Sequence, residues 1–570
     1  MANGLPAWAQ EMRDLFRSGS TAQFILHGNI FDIIPAGGKQ LSLQQFLDEV
    51  MFETYDVVLH YDRGRGIHAT RGLKDWGDWL EQVGGADART LATERDPAKA
   101  LEILDQYLLR CLNLQQIPGS QGPKRLALVI SFAEFVVPRG EALQLGGGYS
   151  ANIVKVLAWA NDPIIQQANI ATVLVAEQLA DLNGLVVENP HSSKLKSPLP
   201  GEEEMSDYVQ SLKAGQFPDL QEKCEVPLET LARRLSGLSL VGARTIISMS
   251  LKNGKTITAK FLSEMKKGMI EKECQGLLEF IESPFTLDNV SGMDAVKGWL
   301  REDTKLLRKG SLTTLPMGYL ISGRIGTGKT FLVNCWAGEL GVPCVIFKNF
   351  RDKWVGAIES NLDKIFSVLR ALGQVVVFVD EADQMTGKRE GGDSDGGLSG
   401  RVYGMLAKEM SDTRNRGRII WVFATSRPDL VEVDLKRQGR LDVHIPLFPP
   451  QTQDEYKALF RSVAGKLKFP LKDDELPEIP AGVDLGGNEI EGILVRALRQ
   501  FDLQDQKTPL KDLLTQVVAD IRPSPHAQKL RYMDMVAVKE CTDTRFLPEK
   551  YRSITADEMD REIARLRPYV

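Results

Sequence analysis

The chain has 570 residues, enough for more than one domain, and its 43% hydrophobic and 26% charged content is ordinary for a globular protein. Its 70 basic residues against 76 acidic ones give a net charge of −6, which argues against a duplex nucleic-acid binder, since phosphate contacts need a basic surface. The 6 cysteines are scattered with no C-x-x-C pair and read as reduced residues of a cytoplasmic protein. No basic-then-apolar leader, apolar membrane-spanning run or H-E-x-x-H occurs, which sets aside a secreted protein, a transmembrane segment and a fused zinc protease.

In chain order, residues 7–17 carry Trp8, Met12, Leu15 and Phe16 at helical spacing and predict a short amphipathic helix. Residues 21–34 predict a strand through Phe24-Ile25-Leu26 and then loop, 44–51 a helix, and 57–61 a strand. Arg63-Gly64-Arg65-Gly66 has no Gly-Lys-Thr and reads as a turn. Residues 257–282 read as one helix, with Met265, Met269 and Ile270, before a linker at Ser283-Pro284.

The first half repeats the second in outline. Residues 126–134 have the form of 375–383, so that Ser131 and Phe132 stand where Asp380 and Glu381 do. Residues 171–176, followed by Asp181-Leu182, echo 419–424 followed by Asp429-Leu430, and 236–240 echo 481–485. Three echoes in one order at nearly one spacing indicate an internal duplication. The same spacing puts the counterpart of Gly323–Lys329 near residues 74–80, which hold no Gly-Lys-Thr. A decoy, Gly254-Lys255-Thr256, follows a helical segment and reads as a loop.

The chemistry is concentrated in residues 317–381. Tyr319-Leu320-Ile321 runs into Ser322-Gly323-Arg324-Ile325-Gly326-Thr327-Gly328-Lys329-Thr330, which matches G-x-x-x-x-G-K-[ST]. Glycines let successive backbone N–H groups cradle phosphate oxygens, and the helix predicted over 331–340 adds its N-terminal dipole. Lys329 is expected on the β- and γ-phosphates and Thr330 on magnesium. Residues 375–379 predict a buried parallel strand that delivers Asp380 and Glu381 to the sheet's carboxyl edge, Asp380 for magnesium and Glu381 as general base.

Residues 285–500 resemble the AAA family of ATPases, the clade of Cdc48, spastin, katanin and the membrane AAA proteases. Beyond the phosphate loop, Asp288-Asn289-Val290-Ser291-Gly292 resembles the family's adenine-pocket segment. Ala424-Thr425-Ser426-Arg427-Pro428 resembles its sensor strand, with Ser426 in place of asparagine. Lys436-Arg437-Gln438-Gly439-Arg440-Leu441-Asp442 resembles the arginine-finger stretch, and Gly486-Gly487-Asn488-Glu489 the start of the lid helix. Lys353-Trp354-Val355-Gly356 stands where the family carries a pore loop. A core tryptophan is the alternative reading of Trp354.

The resemblance implies an α/β fold of two tandem AAA-type modules, each a parallel sheet flanked by helices with a small helical lid. The expected division is a degenerate α/β domain at 1–193, a first lid and linker at 194–282, an active α/β domain at 283–448, and a second lid with a helical tail at 449–570. ATP and Mg2+ are the implied cofactors. Val290, Ser291, Gly323, Ile325, Gly326, Thr327, Gly328, Lys329, Thr330, Phe331, Gly487 and Asn488 are expected around the nucleotide. Thr330 and Asp380 are expected on the metal, and Glu381, Lys329, Arg437, Arg440 and Ser426 at the chemistry. The implied assembly is a homo-oligomeric ring, a hexamer, acting on a protein substrate. A slow nucleotide-dependent scaffold and a nucleic-acid motor are the competing readings. The first half has Asn189 and Ser192 at the counterparts of Arg437 and Arg440, and is expected to be inert.

Overall fold

The computed structural model describes residues 5–117, 122–140, 146–252, 256–274, 276–348, 358–386, 396–469, 471–480, 483–504, 508–521 and 525–570. The chain forms two compact units, Met1–Ile270 with Gly356–Ala371, and Glu271–Val355 with Leu372–Val570. Among the described residues, no helix is long and apolar enough to cross a membrane.

The first unit contains strands β1 (Gln23–Gly28), β2 (Ile34–Ala36), β3 (Lys39–Leu41), β4 (Val57–Asp62), β5 (Gly66–Arg71), β6 (Leu126–Ser131), β7 (Ile170–Ala176) and β8 (Ser192–Ser197). Its six-stranded sheet has the order β5-β4-β6-β7-β1-β8, with β2 and β3 as a separate hairpin. Every pairing in the sheet is parallel except the β4–β5 hairpin, whose turn is Arg63–Gly66. Parallel sheets need both faces covered, and the alternation along each strand supplies two apolar faces. Ile25, Leu59, Leu128, Ile130 and Leu174 belong to one cluster, Phe24, Leu26, Val129, Val173 and Val175 to the other. Helices Leu73–Gly84 and Pro97–Gln116 cover the first face, where Tyr107 meets Trp76 edge-on at 4.9 Å.

The second unit contains β9 (Leu278–Phe280), β10 (Gly318–Ser322), β11 (Cys344–Phe347), β12 (Val375–Val379), β13 (Ile419–Thr425) and β14 (Val443–Pro446), in the order β14-β10-β13-β12-β11-β9. Only β9 runs antiparallel. Trp336, on the helix Lys329–Leu340, is wholly buried; its indole N–H donates to Thr304 Oγ1 at 2.9 Å and its ring meets Tyr319 edge-on. Helices Gln453–Lys466, Gly487–Leu503 and Leu510–Ala519 form a small helical domain with its own core.

Read from its parallel edge, the first sheet runs β8-β1-β7-β6-β4-β5 and the second β14-β10-β13-β12-β11-β9, the same path over five strands, with an antiparallel edge strand that follows β4 in the first and precedes β10 in the second. This corrects one expectation. The counterpart of the phosphate loop is the loop after β1, beginning at Gly28, and not residues 74–80, which lie in a helix after β5. The hairpin β2–β3 and the helices between β5 and β6 lengthen the first unit upstream of β6, so a spacing measured downstream cannot be carried back. A second correction concerns 257–282. The helix ends at Glu273, and Leu278–Phe280 form the edge strand β9.

His27 sits near the end of β1, where burial, with Lys196 nearby, pushes its pKa down to about 4. The unfolded chain takes up this proton near pH 6.5, so the contribution to stability is intact above about pH 6.5 and is lost as pH falls towards 4. His27→Asn should therefore reduce the first unit's loss of stability between pH 7.5 and 4.5 by about 2 kcal/mol, allowing for partial solvation. Denaturant titrations of both proteins at the two pH values measure the difference.

Candidate active site

The fully buried strand β10 delivers Gly323 to the carboxyl edge of the second sheet. Gly323 has φ +145°, and a Cβ there would lie 2.3 Å from the Leu447 carbonyl oxygen, so only glycine fits. Gly328, at φ +83°, caps the helix Lys329–Leu340, and its Cβ position faces open space. Thr327 Oγ1 donates to the Arg324 carbonyl at 2.9 Å. Lys329 Nζ folds back onto the carbonyls of Gly323 (2.7 Å) and Arg324 (3.1 Å). Burial pulls its pKa down to about 8, against the opposing pull of Asp380, Asp383 and Glu381. A half-desolvated ammonium resting on its own loop's carbonyls, beside a helix N-terminus, suits a polyphosphate.

Strand β12 is apolar and buried throughout, and Asp380 follows it directly. Thr330 Oγ1 donates to Asp380 Oδ2 at 2.8 Å, joining the phosphate-loop helix to the end of β12. Two hard oxygen donors held this close suit a magnesium ion. Glu381 takes a left-handed backbone, φ +49°, rare for a non-glycine residue. Asp383 accepts a hydrogen bond from Thr425 Oγ1 at the end of β13, and Ser426 follows, half-buried.

The remaining residues expected around the nucleotide lie on separate elements. Val290 is buried, and the Ser291 hydroxyl is buried with no hydrogen-bond partner among the described residues. Phe331 is half-buried against Phe285, and Ile325 projects into solvent. Gly487 N–H donates to the Gly326 carbonyl at 3.0 Å, bringing the first turn of the helix Gly487–Leu503, with exposed Asn488, onto the phosphate loop. Arg437 and Arg440 lie between β13 and β14, both paired with Asp434. Arg440 also donates to the Asp434 carbonyl at 2.6 Å and is largely covered, whereas Arg437 is mostly exposed. Lys353, Trp354, Val355 and Gly356 lie outside the described residues. Sequence reasoning missed Arg324, whose guanidinium reaches Asp484 at 3.2 Å and Asp534 at 3.6 Å.

The first unit fills the corresponding space differently. Asp32 stands four residues after the end of β1, as Gly326 does after the end of β10. Asp32 is buried, and its carboxylate accepts the backbone N–H groups of Leu240 and Val241, each at 2.9 Å, at the start of the helix Leu240–Lys252. Asn29 Nδ2 donates to it at 2.8 Å. Pro35 and Ala36, in β2, take the places of Lys329 and Thr330. Phe132 keeps the left-handed backbone of Glu381, at φ +55°, but is exposed, with its ring 6.0 Å from that of Phe31. Asp32→Ala should lower the stability of the first unit by about 1–3 kcal/mol, because two buried N–H groups lose their acceptor. Hydrogen exchange should accelerate at residues 240–243, which mass spectrometry reads directly.

The family described as AAA+ chaperone, N-terminal Rossmann-like domain, matches residues 2–196, and AAA+ chaperone, second helical domain, matches 203–275. ATPase family associated with various cellular activities (AAA) matches 319–448. The chain is similar to the ATP-dependent zinc metalloprotease FtsH 2 of Symbiobacterium thermophilum, 34% identical over 201 residues, which are 34% of each chain. It is 28% identical over 338 residues to the probable inactive ATP-dependent zinc metalloprotease FTSHI 4, chloroplastic, of Arabidopsis thaliana, covering 54% of this chain and 39% of that one. Against the cell division cycle protein 48 homolog of Archaeoglobus fulgidus it is 27% identical over 313 residues, 52% of this chain and 41% of the relative. The chain thus spans between a third and two fifths of the length of these curated relatives. With the phosphate loop, the carboxylate pair and the helical lid in place, the second unit carries a module similar to the AAA family of ATPases over residues 319–448.

Proposed function

We propose that the second unit binds ATP with Mg2+ and hydrolyses it, and that hydrolysis drives remodelling of a protein substrate by a homo-oligomeric ring, a hexamer, in the cytoplasm. The observation that carries the reading is the 2.8 Å contact between Thr330 and Asp380, with Glu381 next in the chain on a left-handed backbone. Magnesium, when bound, draws charge from the β- and γ-phosphate oxygens, and Thr330 and Asp380 are the residues to hold it. Lys329 neutralises the phosphates. Glu381 accepts the proton of the water whose oxygen forms the new bond to the γ-phosphorus, while the bond to the bridging oxygen breaks. Ser426 orients that water. Arg437, the more exposed of the two arginines, reaches a neighbouring subunit's phosphates, and Arg440 follows once it leaves Asp434.

In this reading the domains divide at 1–193, 194–282, 283–448 and 449–570, and the first is a non-hydrolysing platform for the ring or for a partner. Asp32 on the helix amides, Pro35 at the lysine position and Phe132 at the base position support that role. Lys353-Trp354-Val355-Gly356 grips an extended substrate, since a flat apolar side chain binds polypeptide with little regard to sequence. A slow assembly scaffold is the second reading, favoured by Ser426, whose hydroxyl is shorter than the family's asparagine amide.

Lys329→Ala should abolish binding of a fluorescent ATP analogue. Glu381→Gln should bind it as wild type does and lose at least ~10²-fold in turnover. Equal turnover in Glu381→Gln and wild type would refute the assignment. Arg437→Ala should leave affinity intact and cut turnover by about 10³-fold or more, as loss of a finger acting in trans does. Turnover per subunit should then rise with protein concentration, and a flat specific activity down to a demonstrated monomer counts against the ring. Trp354→Ala should keep basal hydrolysis and lose its stimulation by unfolded protein. A scaffold would show slow turnover with no such stimulation.

A further inference from the structure

We propose that the helix Ala527–Glu540 braces the nucleotide site, with Asp534 positioning the phosphate loop through Arg324 and Tyr532 positioning the loop after β13 through Asp429. The inference rests on the nucleotide reading of the second unit and adds a source of control that the phosphate-loop motif does not contain.

Arg324 is the first residue after Gly323, yet its side chain is turned inward and is 7% exposed. Its guanidinium lies between Asp484, just ahead of the lid helix, and Asp534, also 7% exposed. The carbonyl of this same arginine accepts Lys329 Nζ and Thr327 Oγ1. Holding the guanidinium therefore holds the carbonyl on which the phosphate-binding lysine rests. Two residues earlier on the helix, Tyr532 Oη donates to Asp429 Oδ2 at 3.0 Å, and the guanidinium of Arg427 lies 5.2 Å above the tyrosine ring. Arg427 also pairs with Asp429 at 2.9 Å and directly follows Ser426. One helix thus touches the loop that holds the phosphates and the loop that carries the sensor position. A buried ion pair such as Arg324–Asp534 is a poor way to gain stability over well-packed apolar groups, but it fixes geometry, and the partly covered Arg427–Asp429 pair holds the chain beside Ser426 in the same way.

The experiment measures three quantities on the full chain: the affinity of the nucleotide-free protein for mant-ADP, steady-state ATP turnover, and the melting temperature without nucleotide. Asp534→Asn should weaken mant-ADP binding about tenfold with the melting temperature nearly unchanged, and Asp534→Glu should recover most of the affinity. Tyr532→Phe keeps the ring under Arg427 and loses only the hydroxyl; it should lower kcat about tenfold and leave mant-ADP affinity unchanged. If affinity and kcat fall together in both variants in step with the melting temperature, the helix is only structural and the brace is overturned. If Asp534→Asn does not fold, Tyr532→Phe decides, and an unchanged kcat overturns the proposal. Failure of wild type to bind mant-ADP overturns the nucleotide reading itself. Tight wild-type binding with no change in either variant overturns the brace alone.

Discussion

Parallel pairing is the constraint from which the site follows. Because β10, β12 and β13 run in one direction, their carboxyl ends fall on one edge of the sheet. Three stretches far apart in sequence arrive there together: Gly323–Thr330, Asp380–Glu381, and Thr425–Ser426. Hydrogen bonds then lock the meeting, from Thr330 to Asp380 and from Thr425 to Asp383. The first bond ties the helix after β10 to the end of β12 across the intervening β13, and the second ties the ends of the adjacent β12 and β13, so the loop, the carboxylates and Thr425–Ser426 are held together. The lid joins this group through the Gly487–Gly326 contact between backbones, which depends on no side chain.

The parts of this site that were legible in the sequence are local. A glycine-rich loop between a strand and a helix, or two carboxylates after five apolar residues, announces itself within ten residues, because backbone geometry and burial act at that range. The helix Ile358–Leu372 and the strands at the two carboxyl edges were legible for the same reason. What stayed hidden depends on partners far away. Leu278-Glu279-Phe280 is a strand because β11 offers it an edge, and its own pattern continues the preceding helix. Arg324 looks like a variable loop position until Asp534, more than two hundred residues later, is seen beside it. The first unit's phosphate-loop counterpart was misplaced because insertions change spacing while leaving strand order intact.

Five strands of each sheet follow one path, with different contents after the strand ends. Where the second unit leaves a glycine cradle open, the first has a carboxylate already seated on helix amides. Where the second unit begins a helix after the loop, the first has strand β2, and Asp32 caps a different helix, Leu240–Lys252. Phe132 retains the backbone of Glu381 with none of its chemistry, which separates the demand of the strand-to-loop turn from the demand of catalysis.

The hairpin β2–β3 enforces that difference. Pro35 lacks the N–H that would line a phosphate cradle, and its strand occupies the stretch of chain where a helix would have to begin. Restoring an aspartate and a glutamate at positions 131 and 132 would return charge to the edge without returning a place for an anion. Making an anion site in the first unit would need the loop, the hairpin and the Asp32 cap changed together.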